Sequence, residues 1–155
     1  MIRSARKDDV PIIAGLIREL SEYEKLSAEV VLKEADLETH LFGPRPFAEV
    51  LIAEREGMPV GFALFFHNFS TFLARPGIYL EDLFVKPAFR GEGHGRALFQ
   101  AVAKLATERD CGRLEWAVLD WNEPAIRFYE SFGAVGLKDW TVFRLAGEAL
   151  ETLGR

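Results

Sequence analysis

Hydrophobic residues recur along this chain with two different periods, and each change of period marks an element. Ile2-Arg3-Ser4-Ala5 reads as a short edge strand. Ile12, Ile13, Leu16, Ile17 and Leu20 then recur at helical spacing, leaving Arg18, Glu19 and Glu22 for water. Asp8 or Asp9 is placed to cap that helix, and Pro11 is tolerated in its first turn. The helix ends near Glu24-Lys25-Leu26, and a shorter one is predicted over Glu34 to Leu41, stopped by Gly43-Pro44. Two strands in hairpin order follow: Phe47 to Glu54, the turn Glu56-Gly57-Met58-Pro59, and Val60 to Phe66. His67 to Pro76 reads as a loop carrying Phe69, Phe72 and Leu73.

Gly77 to Val85 is the central strand, and Ala97, Leu98, Ala101, Val102 and Leu105 line the buried face of the helix after it. That helix ends near Asp110 and Gly112, and Leu114 to Leu119 is the fifth main strand. Asn122-Glu123-Pro124 starts another helix, completed by Ile126 and Tyr129 to Phe132 before Gly133. Trp140 to Leu145 predicts a last strand and Glu148 to Leu153 a short amphipathic tail. The order is β α α β β β α β α β. A hairpin followed by βαβ crossovers implies an α/β fold, a mixed central sheet with helices on both faces.

Composition narrows the function classes. The 155 residues fit one domain over 1–155, long enough to bury a core. No window approaches 18 consecutive apolar residues, and Met1-Ile2-Arg3-Ser4-Ala5-Arg6 lacks the apolar core of a signal peptide, so no membrane association is expected. The single Cys111 excludes an internal disulfide and fits a reducing, cytoplasmic setting. A formal charge of −5 argues against a nucleic-acid partner and is compatible with a cationic small substrate. His40, His67 and His94 are scattered, so no metal site is expected.

The chemistry concentrates after the central strand, in Arg90-Gly91-Glu92-Gly93-His94-Gly95-Arg96. A strand ends, glycines stand on alternate positions, and a helix begins. Such a turn offers backbone N–H groups at the positive end of a helix dipole, and glycine lets a bulky anion approach. Arg90 and Arg96 add positive charge. The loop therefore reads as a phosphate cradle. It lacks the Lys-Ser or Lys-Thr pair of a P-loop, and its G-x-G-x-G spacing departs from the dinucleotide fingerprint.

The pattern R-G-x-G-x-G after an apolar strand resembles the pyrophosphate loop of the GNAT N-acetyltransferases. Tyr79 to Val85, Leu119 to Tyr129 and Glu19 to Lys25 are similar to the spermidine/spermine (diamine) and thialysine acetyltransferases, a likeness running from about Ile2 to Leu145. The resemblance implies a sheet splayed between two neighbouring central strands to admit acetyl-coenzyme A. It places the backbone of Leu83, Phe84 and Val85 along the pantetheine arm. Residues Gly91 to Arg96, with Glu92, Gly93, His94 and Gly95 between them, fall at the pyrophosphate, and Asn122, Glu123, Pro124 and Ala125 flank the cofactor. A homodimer is also implied.

Transfer of an acetyl group to an amine requires the amine to lose its proton, the oxyanion to be stabilised and the departing thiolate to be protonated. Tyr129 matches the family's general acid. Glu81 matches the base, acting directly or through water, and Asp82 an anchor for a second ammonium, with a solvated edge charge as the plainer reading of Asp82. Adjacent strand residues point to opposite faces, so a β-bulge is needed to aim both acids into one cavity. Tyr23, Glu24, Glu115, Trp116 and Trp140 match positions around the acceptor, although Trp116 and Trp140 also suit plain packing. Thr71 stands where polyamine-specific members carry an acid, which favours a shorter amine or a lysine-like amino acid. A non-catalytic acyl-coenzyme A sensor, and acetylation of protein lysines or N-termini, stay open.

Overall fold

The computed structural model describes residues 1–155. Strand β1 spans Ile2–Ser4, helix α1 Val10–Tyr23 and helix α2 Glu34–Phe42. Strands β2 (Glu49–Arg55), β3 (Met58–Ser70) and β4 (Arg75–Val85) follow. Helix α3 (His94–Glu108) leads to β5 (Leu114–Trp116), and α4 (Glu123–Glu130) and α5 (Gly147–Leu153) complete the chain. The residues group into two compact units, Met1–Ala117 and Val118–Arg155.

In the first unit the sheet order is β1-β2-β3-β4-β5. The first four strands pair antiparallel, and β4 pairs parallel to β5, so the sheet is mixed. A parallel neighbour needs a crossover, and α3 supplies it. Strand alternation puts helices on both faces. Val50, Ile52, Phe62 and Phe84 share one core cluster with Ile13, Leu16 and Leu20 of α1. The next residues along the strands, Leu51, Ala53, Ala63 and Val85, are also buried and point the other way. There α3 buries Leu98, Phe99 and Val102, and a methyl group on Gly95 would sit 3.7 Å from Val85 Cγ2.

Several expectations are corrected. The region 67–76 is mostly strand: His67 to Ser70 pair with Ile78 to Arg75, and only 71–74 turn. His67 and Phe69 point out and Asn68 and Ser70 are half-buried, so an aromatic stands on the exposed face, polar residues fill the other, and no apolar alternation marks the strand in the sequence. The fifth strand stops at Trp116 rather than Leu119. Trp140 to Leu145 joins no sheet, with Val142 87% and Phe143 91% exposed. Ile12 is exposed, because the buried line of α1 runs through Val10, Ile13, Ala14, Leu16 and Leu20. Asp9 stands at the N-cap of α1, but its carboxylate accepts from Arg3 and from the Arg6 amide rather than capping the helix.

That carboxylate belongs to a largely buried ionic knot. Arg3 donates to both oxygens of Asp9, at 2.8 and 2.9 Å, and its Nε donates to Glu54 on β2. The Arg3 hydrogen bond, set against the burial that opposes it, holds the Asp9 carboxyl below the usual range. A depressed carboxyl stabilises the fold above its unfolded pKa and loses that contribution as pH falls through the folded value. Arg3→Ala leaves two largely buried carboxylates unpartnered and is expected to cost about 3 kcal/mol in urea denaturation at pH 7. The deficit should shrink as pH drops below about 4, where Asp9 protonates in the unfolded chain.

Candidate active site

The loop after β4 is built to leave donors open. The Lys86 amide bonds back to Val60 O at 2.8 Å, and the turn Pro87–Phe89 carries the chain to the glycines. Gly91 (φ 83°) and Gly93 (φ 89°) adopt left-handed conformations, and a Cβ at either would meet open space. Gly93 immediately precedes α3, and no side chain caps that helix. The first-turn amides of His94 and Gly95 therefore face the loop's mouth at the positive end of the dipole. His94 Nε2 is buried and has no hydrogen-bond partner. Open donors, room above the glycines and an orphaned ring nitrogen fit a diphosphate.

Two charges in the loop behave differently from expectation. Arg90 turns inward: Nε donates to Val85 O at 3.0 Å, and the guanidinium lies over the Tyr23 ring at 4.5 Å and the Phe84 ring at 5.6 Å. It ties the loop to the last residue of α1. Glu92 would repel an anion, but its carboxylate is 3.3 Å from Arg55 Nη1 and 3.6 Å from His94 Nε2. Arg55 ends β2, far from the loop in sequence, and no local signal marks it.

Beside the loop the sheet parts. Ladder pairing of β4 with β5 covers Ile78–Leu80 against Leu114–Trp116 and stops, whereas β4 continues to Val85. On that side the backbone of Leu83 to Val85 has no neighbouring strand. On the other side these residues pair with Ala63, Phe62 and Gly61, and Phe84 and Val85 have buried side chains. An extended ligand could use the open edge as an added strand does.

The acids sit where the pairing jumps. Leu64 is opposite Asp82 and Phe65 opposite Leu80, so Glu81 is the extra residue of a β-bulge. Asp82 takes the face of its partner Leu64, which packs against the α1 cluster. Glu81 is exposed and Asp82 half-buried. Burial first, then the charges of Glu81 and Glu24, push the Asp82 carboxyl up to about 7. Burial and Glu81 also raise Glu24, the C-cap residue that follows α1. Tyr79, whose ring lies 5.3 Å from Phe66, is raised by burial, Glu81 and Glu115. Glu24, Glu81, Asp82 and Glu115 thus act on one region, and none of the molecule's ion pairs includes them. Tyr79 was not singled out from the sequence; only its place two residues before Glu81 could have flagged it.

The remaining expected residues lie on other elements. Trp116 packs edge-on against Phe99 of α3 at 5.2 Å, on the face opposite the acids. In the second unit Asn122 is buried and caps α4, its Oδ1 accepting from the Ala125 amide at 3.4 Å. Pro124 occupies the first turn, and Glu123 pairs with Arg127 at 2.9 Å. Tyr129 is half-buried on α4, 5.2 Å from the Phe128 ring, and Trp140 is 78% exposed.

The model of the acetyltransferase (GNAT) family matches residues 16–134. A thialysine N-epsilon-acetyltransferase of Bos taurus is 42% identical over 99% of this chain and 96% of its own. An L-ornithine N5-acetyltransferase of Arabidopsis thaliana is 33% identical over 99% of this chain and 87% of its own. Among solved structures, an integron cassette protein from the mobile metagenome of V. cholerae superposes with a TM-score of 0.83 at 27% identity, covering 100% of this chain and 97% of that one.

The raised carboxyl yields a test. The folded chain holds the Asp82 proton to about pH 7, whereas the unfolded chain releases it near 3.8. Ionised Asp82 therefore costs stability that grows between those values and is constant above them. Asp82→Asn is expected to melt above the parent at pH 8, and the gap should narrow steadily toward pH 4 in thermal melts.

Proposed function

The chain belongs to the acetyltransferase (GNAT) family and is an N-acetyltransferase acting on amines, and on that premise we propose that it transfers acetyl from acetyl-coenzyme A directly to a primary amine of a small cationic acceptor. The observation that carries the proposal is the bulge at Glu81, where carboxylates without a cation gather on the strand that leads into the glycine loop and an uncapped helix start. In this reading the amides between Gly91 and Arg96 hold the diphosphate, and the open backbone of Leu83 to Val85 and the Asn122–Ala125 turn flank the rest of the coenzyme. Arg90 is shared between that loop and Tyr23. No helix is long and apolar enough to cross a membrane; a cytoplasmic homodimer is part of the reading.

An ammonium attracted to Glu24, Asp82 and Glu115 has to lose its proton before it attacks, since a lysine-type amine has a pKa near 10.4. Glu81, exposed at the bulge, takes that proton directly or through one water. Tyr129 returns a proton to the departing thiolate, and no covalent acyl-enzyme is needed. Thr71, at the tip of the β3–β4 ribbon, adds no charge for a distant ammonium. A lysine-like amino acid is therefore favoured over a long polyamine, in keeping with the thialysine and ornithine enzymes this chain is similar to.

Thiol release from acetyl-coenzyme A, measured with thialysine, lysine, ornithine, diamines, spermidine and a lysine peptide, tests the acceptor class. The short amino-acid amines should be turned over fastest; exclusive use of the peptide would overturn the proposal. Tyr129→Phe is expected to lower kcat by about 10²-fold with the KM for acetyl-coenzyme A unchanged. Glu81→Gln should lose activity most at neutral pH and recover toward pH 10 as free amine accumulates. Unchanged turnover in either variant removes that residue from the mechanism.

A further inference from the structure

The face of the sheet that looks at α1 carries more than its share of the core. Along β3 that face runs through Phe62, Leu64 and Phe66, and the ladder sets Leu64 opposite Asp82 and Phe66 opposite Tyr79. Across the other flank of β4, Tyr79 pairs in register with Glu115 of β5. Paired residues share a face, so Asp82, Tyr79 and Glu115 all project on the α1 side. Trp116, the next residue of β5, packs against Phe99 of α3, as alternation requires.

Phe66 stacks on one side of the Tyr79 ring, with centroids 5.3 Å apart and planes inclined by 31°. Phe66 belongs to β3 and Glu115 to β5, on opposite flanks of β4. The second face of the ring is therefore turned toward the flank where Glu115 stands. Burial, then Glu81 and Glu115, hold the phenol above its usual range, so the ring stays a neutral π-surface within electrostatic reach of two carboxylates. A ring face set beside a carboxylate that no internal cation occupies makes a slot for an ammonium, because the quadrupole attracts the charge and the acid neutralises it.

We propose that Tyr79, together with Glu115, holds the second ammonium of the acceptor and so selects short dications by length. The proposal rests on the acetyl-transfer reading and deepens it by naming a residue that sets specificity. Tyr79 and Glu81 are two positions apart on an extended strand, a rise of about 7 Å at most. With bonds of about 1.5 Å in a zigzag, about five or six bonds between two nitrogens cover the same distance. That is the separation in 1,4-diaminobutane and between the two amines of lysine. A monoamine leaves the slot empty, and a long polyamine places its next charge beyond it.

Thiol release with 1,4-diaminobutane and with butylamine tests the slot on the full chain and on Tyr79→Leu, Tyr79→Phe and Glu115→Gln. The unmodified chain should favour the diamine in kcat/KM by roughly 10-fold or more, and Tyr79→Leu should lower that ratio by about 10-fold, through the diamine's KM. Tyr79→Phe keeps the ring face and should hold the ratio within about threefold. Glu115→Gln should lower it. Equal losses for both amines in Tyr79→Leu would mean that the ring only supports the fold, and would overturn the proposal. A Phe variant as impaired as the Leu variant overturns it too. If Tyr79→Leu misfolds, Glu115→Gln decides, and an unchanged ratio there sinks the slot. Calorimetry with 1,4-diaminobutane needs no turnover. If no amine is acetylated, the acetyl-transfer reading fails alone, provided the diamine still binds the unmodified chain about 10-fold more tightly than Tyr79→Leu; equal binding removes the slot as well.

Discussion

One extra residue in β4 sets the geometry from which the rest of the site follows. Strand β4 must stay paired with β3 along its length, because Phe62, Phe84 and Val60 are the centre of the core. It must also leave β5 after Leu80, since backbone still paired on both edges has nothing to offer a ligand. A bulge reconciles the two demands: β3 pairing continues on both sides of Glu81 with the register shifted by one residue, while local twist increases. It also changes which face each acid takes. Without it, Leu80 and Asp82 would share a face; with it, Leu80 enters the core and Asp82 turns toward α1.

Charge is arranged around that parting with little slack. The largely buried carboxylates of Asp9 and Glu54 share Arg3, and at the surface Arg109 holds Glu49 through two bonds of 2.7 and 2.9 Å. The acids around the bulge have none, and their mutual repulsion shows as the raised carboxyls of Asp82 and Glu24. Such a cluster is destabilising by itself, which is the feature the proposed cationic acceptor would relieve. Glu92 makes the converse point: in the loop proposed to hold an anion, its carboxylate lies 3.3 Å from the Arg55 guanidinium.

Much of this was legible in the residues. The helical period of α1 and α3, the glycine loop and the crossover order follow from spacing, which depends only on neighbours along the chain. The bulge was legible as a need, because Glu81 and Asp82 are adjacent acids. What escaped depends on partners distant in sequence. Nothing near Gly91 announces Arg55, and the ribbon His67–Ser70 holds its shape by main-chain bonds that side chains do not record. Trp116 was placed near the acceptor by likeness, with plain packing as the other reading, and its ring packs edge-on against Phe99 of α3. Trp140–Leu145 carries a strand pattern that its own chain does not use.

The Asp82 carboxyl, titrating at about 7, leaves the pocket without a fixed charge at neutrality. Roughly half of the molecules present a neutral acid there and half an anion. The cationic acceptor proposed above would select the anionic form, so its capture would be coupled to the expulsion of a fractional proton into the medium, and its apparent affinity would tighten as the carboxyl is deprotonated. The same linkage runs backwards: acidification refills the carboxyl with its proton and would loosen the grip on the amine proposed to bind there.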